Sequence, residues 1–282
     1  MLVAAFSMTG IRLDSIDSYR ADLKALLSRC RASPAVLPAH SALLLGLNTG
    51  ALDAGSGFEE TLKLYSLNHG AWNEQFLELH AALARELDIY LAAGTLIESE
   101  GDFLCHSAYC FDPRGGICCR QKQTHLSAFE RSIGLGRGEE LKIFPLNGLR
   151  AGLVIGNDAR HPEVGRIYAL RGADLVLSSG ALEAGFNCWP QAAGMWAQVQ
   201  QNQFWAVEAQ LSAAIAGTVF GANPAVIGPC EITPGQSGYL ARGYPHSPVV
   251  TADLDEPARL RIKQKYPLLG LLNPQAYGDL NP

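Results

Sequence analysis

The chain has 282 residues, a formal charge of −5, 48% hydrophobic and 17% charged residues. The acidic balance excludes the clustered basic surface that nucleic-acid binding needs. No run of about 18 apolar residues is present to form a membrane-spanning helix, and sparse charge, against roughly a quarter in an average protein, calls for a large buried core or a subunit interface.

Residues 1–7 lack a basic leader region and read as a first strand. Residues 15–31 read as a helix, with Ile16, Tyr19, Leu23 and Leu26 on one face. A short strand at 35–37 follows, then a helix at 72–87 with Phe76, Leu79, Ala82 and Leu83 at helical spacing, and an apolar strand at 89–97. Strands at 103–111 and 116–121 are joined by Asp112-Pro113-Arg114-Gly115, a turn with Pro and Gly in favoured places. Strands at 141–145 and 149–155 turn at Asn147-Gly148. The remaining elements read as a helix at 162–171, a strand at 175–178, a long helix at 192–209 and a strand at 211–217. Strands outnumber helices, yet helices keep returning between hairpins, which suggests sheet on sheet with helices outside. No linker or repeat divides the chain, so residues 1–282 are expected to form a single domain. The seven Cys are odd in number and show no metal-ligand spacing, so they read as reduced thiols of a cytoplasmic protein.

Four segments in chain order resemble the nitrilase superfamily, the carbon–nitrogen hydrolases. The longest runs from Gly152 to Arg166 and on through Gly172-Ala173-Asp174, where Asp158, Arg160, Pro162, Glu163 and Arg166 fit the family pattern. The others are Arg120–Leu126, Val36-Leu37-Pro38-Ala39, and Leu272-Asn273-Pro274-Gln275-Ala276-Tyr277, where Leu272 replaces an Arg. The resemblance implies a four-layer α-β-β-α sandwich that dimerises by packing like faces together. The apolar tail residues Leu271, Leu272, Tyr277 and Leu280 suit docking on a homodimer partner or a higher oligomer.

Family chemistry uses a Cys nucleophile, a Glu base and a Lys that stabilises the oxyanion. Aligned on the flanking motifs, these positions fall on Gly156, Ala39 and Gln123, none of which can play its part. Lys122 lies one residue from the lysine position and should face the other way along a strand. His40, beside Ala39, should likewise point away from the pocket. Cys118, Cys119 and Cys188 are conceivable replacement thiols, although a buried Cys is usually inert. Glu130 occupies the place of a substrate-orienting glutamate, and Asp158, Arg160, Glu163 and Arg166 read as structural ties. Removing a hydrolase's triad nucleophile alone costs about a million-fold in turnover. The resulting expectation is a catalytically degenerate protein that binds a small polar amine or amide through Gln123, Glu130, Asn157 and Trp189, or that binds a protein partner. No catalytic residue, cofactor or metal is expected, nor any nucleic-acid or membrane partner. Two alternatives stay open: an active amide hydrolase using non-standard residues, and a structural subunit of a hetero-oligomer.

Overall fold

A computed structural model describes residues 1–67, 69–101, 103–185 and 188–277. Among these, the strands form two large sheets. The seven-stranded sheet runs in the order Val249–Asp253, Leu2–Phe6, Ala35–Val36, Leu91–Glu100, Phe103–Phe111, Ile117–Lys122, with Leu135–Gly136 beside the fifth. The six-stranded sheet runs Tyr239–Arg242, Ala225–Ile227, Trp205–Gln210, Leu175–Gly180, Leu149–Ile155, Ile143–Leu146.

Strand alternation splits the apolar residues between layers. Val3 and Ala5 of the first strand meet Ala151, Leu153, Ile155, Leu177, Trp205 and Val207 between the sheets. Ala4 and Phe6 face the other way, onto Tyr19, Leu23, Phe76 and Leu83 of the helices Ile16–Cys30 and Gly70–Leu87. On the far side, Val154, Val176 and Ala206 pack against Val164, Tyr168, Met195 and Val199 of the opposite helical layer. The result is the expected α-β-β-α sandwich. Gly152 is required where that outer layer presses closest, because a Cβ there would lie 2.3 Å from the Tyr168 ring. The Tyr168 hydroxyl donates to the Leu153 carbonyl at 2.6 Å.

Ser15 caps the first helix by accepting from the Ser18 amide, and Arg31 closes it in the left-handed region. The long helix expected at 192–209 is corrected. Helical turns end at Asn202, Gln203 takes φ +60°, and Trp205–Gln210 is a central strand. That segment pairs in parallel with Leu175–Gly180 and antiparallel with Ala225–Ile227, so tertiary pairing overrides its helix-compatible composition. The expected strand at 211–217 is a small hairpin, Ser212–Ile215 with Thr218–Gly221. Helices Ser41–Asn48, Phe58–Leu67 and Glu256–Lys265 were not anticipated. No helix of the described residues is long and apolar enough to cross a membrane. In the tail, Leu271 is exposed, and Leu280 lies outside the described residues.

Candidate active site

A cavity of about 740 Å³ opens at the ends of central strands of both sheets. Four chain segments converge there. After the strand Ala35–Val36 the backbone turns, and the Ala39 amide donates to the Gly180 carbonyl of the other sheet at 3.2 Å. Ser179 Oγ donates to the Leu37 carbonyl at 2.8 Å, stitching the same corner. Gly156 begins the turn after Leu149–Ile155 at φ +47°, a conformation glycine adopts without strain. Ala39 and Gly156 both line the cavity. Gln123 sits just behind them, its Oε1 3.9 Å from where a Cβ on Gly156 would lie. The three expected family positions are thus brought to one place.

Both amide protons of Gln123 and one of the two lone pairs of its oxygen are taken by neighbours. Its Nε2 donates to the His125 carbonyl at 2.9 Å and to Glu130 Oε2 at 3.0 Å. Its Oε1 accepts from His106 Nδ1 at 2.7 Å. Glu130 caps its own short helix in a capping box with Ser127. It lies 3.2 Å from His106 Nδ1. Burial alone would raise the Glu130 carboxyl, but the His106 and Ser127 contacts outweigh it and hold it at about 2. Glu130 is therefore a fixed anion and a poor proton carrier. His106 Nε2 is bonded to Thr95 Oγ1 at 2.7 Å, and that hydroxyl also accepts from the His40 amide at 2.8 Å.

His40 departs from the expectation that it points away. Its backbone turns at φ +58°, which breaks strand alternation. Its ring enters the cavity wall, stacked on His106 with centroids 5.1 Å apart. Burial first, and then His106, depress its pKa to about 3, so it stays neutral.

Across the cavity, Glu208 projects from the strand Trp205–Gln210 and is 2% exposed. Gln191 Nε2 donates to its Oε2 at 2.8 Å and Gln210 Nε2 to its Oε1 at 3.0 Å. Burial outweighs these two donors and pushes the carboxyl up to about 7. Gln210 also lines the cavity, and its buried Oε1 has no partner among the described residues.

Residues 54–252 match the family model of carbon-nitrogen hydrolases. The chain belongs to the carbon–nitrogen hydrolase family. Among its relatives, the omega-amidase NIT2 of Bos taurus is 26% identical over 196 residues, covering 66% of this family member and 68% of the relative. The human omega-amidase NIT2 matches to the same extent, and a nitrilase of Pyrococcus abyssi is 29% identical over 124 residues. In fold, the chain is similar to the amidase of Nesterenkonia sp. AN1, solved with an acetamide moiety covalently added at its active-site cysteine. That likeness has TM-score 0.73 and 21% identity, and covers 96% of this chain and 97% of that one. Nit3 of Saccharomyces cerevisiae superposes with TM-score 0.74 at 17% identity, over 95% of this chain and 94% of that one. These relatives overturn the expectation of a degenerate binding protein. The two omega-amidases are named for amide hydrolysis, and the match covers about two thirds of their length.

The expected binding residues divide. Glu130 and Asn157 line the cavity. Gln123 is largely engaged by its neighbours, and Trp189 is 70% exposed, the wall at that point being Pro190 and Gln191. Lys122 faces away, as its strand position implies, and donates to Glu100 at 2.9 Å. Cys119 is buried between the sheets, where burial raises its thiol to about 12, and Cys118 Sγ donates to the Cys110 carbonyl at 3.2 Å. Neither lines the cavity. The side chain of Cys188 lies outside the described residues. Sequence reasoning missed Glu208 altogether. The available signal was a lone carboxylate in the middle of an apolar run, Trp205-Ala206-Val207-Glu208-Ala209, which costs free energy unless the group has a function or a partner.

Asp158 is structural, as expected. It is fully buried and accepts from the Thr124 hydroxyl at 2.9 Å and the His125 amide at 2.7 Å, holding the Gly156 turn against the Gln123 loop. Asp158→Ala strands these buried donors and should cost about 3 kcal/mol. Urea unfolding of the variant measures this.

Proposed function

We propose that this chain hydrolyses a small amide-type C–N bond with water as the nucleophile and Glu208 as the proton-transfer group. The observation that carries the reading is Glu208 itself: a carboxyl buried in the cavity wall of a carbon–nitrogen hydrolase family member and poised at about 7. A group titrating near the working pH is the efficient choice for general acid–base catalysis. The ionised carboxylate takes a proton from water as the water oxygen bonds to the amide carbon. The C–N bond then breaks, and the same proton passes to the departing amine. Gln191 and Gln210 orient the carboxylate. The unpartnered Gln210 Oε1 is an acceptor for a substrate N–H. Asn157 lines the same cavity, and its backbone N–H serves in this reading as the donor to the developing oxyanion, the role backbone donors serve in acyl transfer.

Charge supports a particular substrate. Among the described residues, Glu59, Glu60, Glu130, Glu183 and Glu208 line the cavity against Arg160 alone of the ordinary cations. Such a lining favours a neutral or cationic amide over one carrying a further carboxylate.

Ammonia release from a panel of small primary amides, with and without an added ammonium or carboxylate group, tests the proposal. Turnover should favour the neutral and cationic amides and survive Cys118→Ala and Cys119→Ala. No turnover across the panel, or its loss on replacing either thiol, overturns the reading.

A further inference from the structure

A second cluster lies behind the cavity, on the surface formed by the loop after Ile117–Lys122 and the start of the helix Pro162–Leu170. There His125, His161 and Glu163 each offer one ligand atom, and these atoms all lie within 4.8 Å of one another. His125 Nε2 is 3.3 Å from Glu163 Oε1, and His161 Nδ1 is 3.6 Å from the same oxygen. Ligands held by a tetrahedral zinc ion about 2.0–2.1 Å away stand about 3.3 Å apart, so the first pair already has the spacing and the second is close to it. The two imidazole rings stack with centroids 4.1 Å apart and 19° between planes, so one ring has to turn before both nitrogens address a single ion.

The surroundings of His125 are those of a prepared ligand. Its Nδ1 lies 3.2 Å from the fully buried Asp158 carboxylate. Nδ1 also lies 2.9 Å from Thr124 Oγ1, so with the ring proton held on Nδ1 by these two neighbours Nε2, on the Glu163 side, is the nitrogen left for a metal ion. A carboxylate behind a histidine in this way is the usual outer support of a metal ligand. The ligand side chains are 28%, 35% and 54% exposed, so an ion reaches them from solvent.

We propose that His125 Nε2, His161 Nδ1 and a Glu163 carboxylate oxygen form a zinc-binding site with a fourth position open to water. The proposal is independent of the hydrolysis reading. Asn157 lies beside the site: its Nδ2 is 3.2 Å from His161 Nε2 and donates to the His125 carbonyl at 3.3 Å. With zinc on Nδ1, His161 Nε2 carries its proton, so the Asn157 side-chain amide turns to present Oδ1 and gives up its bond to the His125 carbonyl. Because Asn157 also lines the first cavity, the ion would tie together two walls of that cavity.

The test is zinc titration of the purified, chelator-treated protein against a chromophoric competitor, with cobalt as a spectroscopic probe. One ion per chain is expected, with the intense visible absorption of four-coordinate cobalt and a zinc-dependent rise in thermal midpoint. His161→Ala should weaken binding at least 100-fold and abolish the rise, while its metal-free midpoint stays within a few degrees of the parent. Glu163→Gln, an exposed change, should weaken binding as well. Absence of stoichiometric binding, or binding that both variants leave unchanged, overturns the site.

Discussion

Replacing Glu208 by Gln should lower amide turnover at neutral pH by about two to four orders of magnitude, the usual contribution of a positioned acid–base group. The amide keeps the shape and the neighbours Gln191 and Gln210 but cannot take a proton. Parent turnover should rise with pH through about 7, as the carboxylate forms, and the variant should lack that rise. Stability supplies a readout that does not depend on finding the right substrate. Burial raises the folded-state pKa of Glu208 from the ordinary 4.5 to about 7. Between those values the folded chain keeps a proton that the unfolded chain has released, so stability falls as pH rises across this window. The loss amounts to about 3 kcal/mol at roughly 1.4 kcal/mol per unit. Below about 4.5 both states hold the proton and the penalty vanishes. Urea midpoints measured from pH 5 to 8 should therefore decline in the parent and stay flat, as far as this group is concerned, in Glu208→Gln. A parent profile as flat as the variant's would show that Glu208 is ionised throughout and would remove it as the proton carrier.

Arg259→Ala should cost about 3 kcal/mol, a large share of the 5–15 kcal/mol that holds a typical domain together. The guanidinium is fully buried. It donates to Glu256 and Asp174, and through Nη1 to the Gln203 carbonyl at 2.9 Å. Glu256 in turn accepts from Trp205 Nε1 at 2.8 Å. One side chain thus joins the helix Glu256–Lys265 to the turn entering the strand that carries Glu208. Truncation leaves two carboxylates without their counter-charge. Both remain about a quarter exposed and can be rehydrated, which places the effect at the lower end of the range for a broken buried pair. Chemical denaturation measures it, and Arg259→Lys should recover only part, because an ammonium cannot reproduce the forked contacts. A loss below about 1 kcal/mol would mean that this network is replaceable by water.

Much of the architecture was legible because it depends on local pattern. The period-two alternation of Leu2–Phe6 and Leu149–Ile155 specifies which residues lie between the sheets. The motif around Asp158 to Arg166 marked the turn at the end of a central strand, and Asp158 does hold that turn. The segment at 205–210 was misread because its residues suit a helix, and only pairing on both edges makes it a strand. The error mattered, since it concealed Glu208. His40 was misjudged because strand alternation was extended past the point where the backbone enters the left-handed region.

The amino-acid sequence by itself determined the layered fold and the family, and pointed to Ala39, Gln123 and Gly156 as neighbours in space, since these rest on periodicity and on motifs read within single segments. Only the tertiary structure decided what surrounds those positions. Glu208 from a neighbouring strand, His40 from a turn and Gln123 from behind the wall meet because two sheets stack, and His125 meets His161 and Glu163 because a loop closes on a helix. The burial that raises one carboxyl to about 7 and the Asp158 contact that orients one imidazole exist only once distant segments exclude water from the same place.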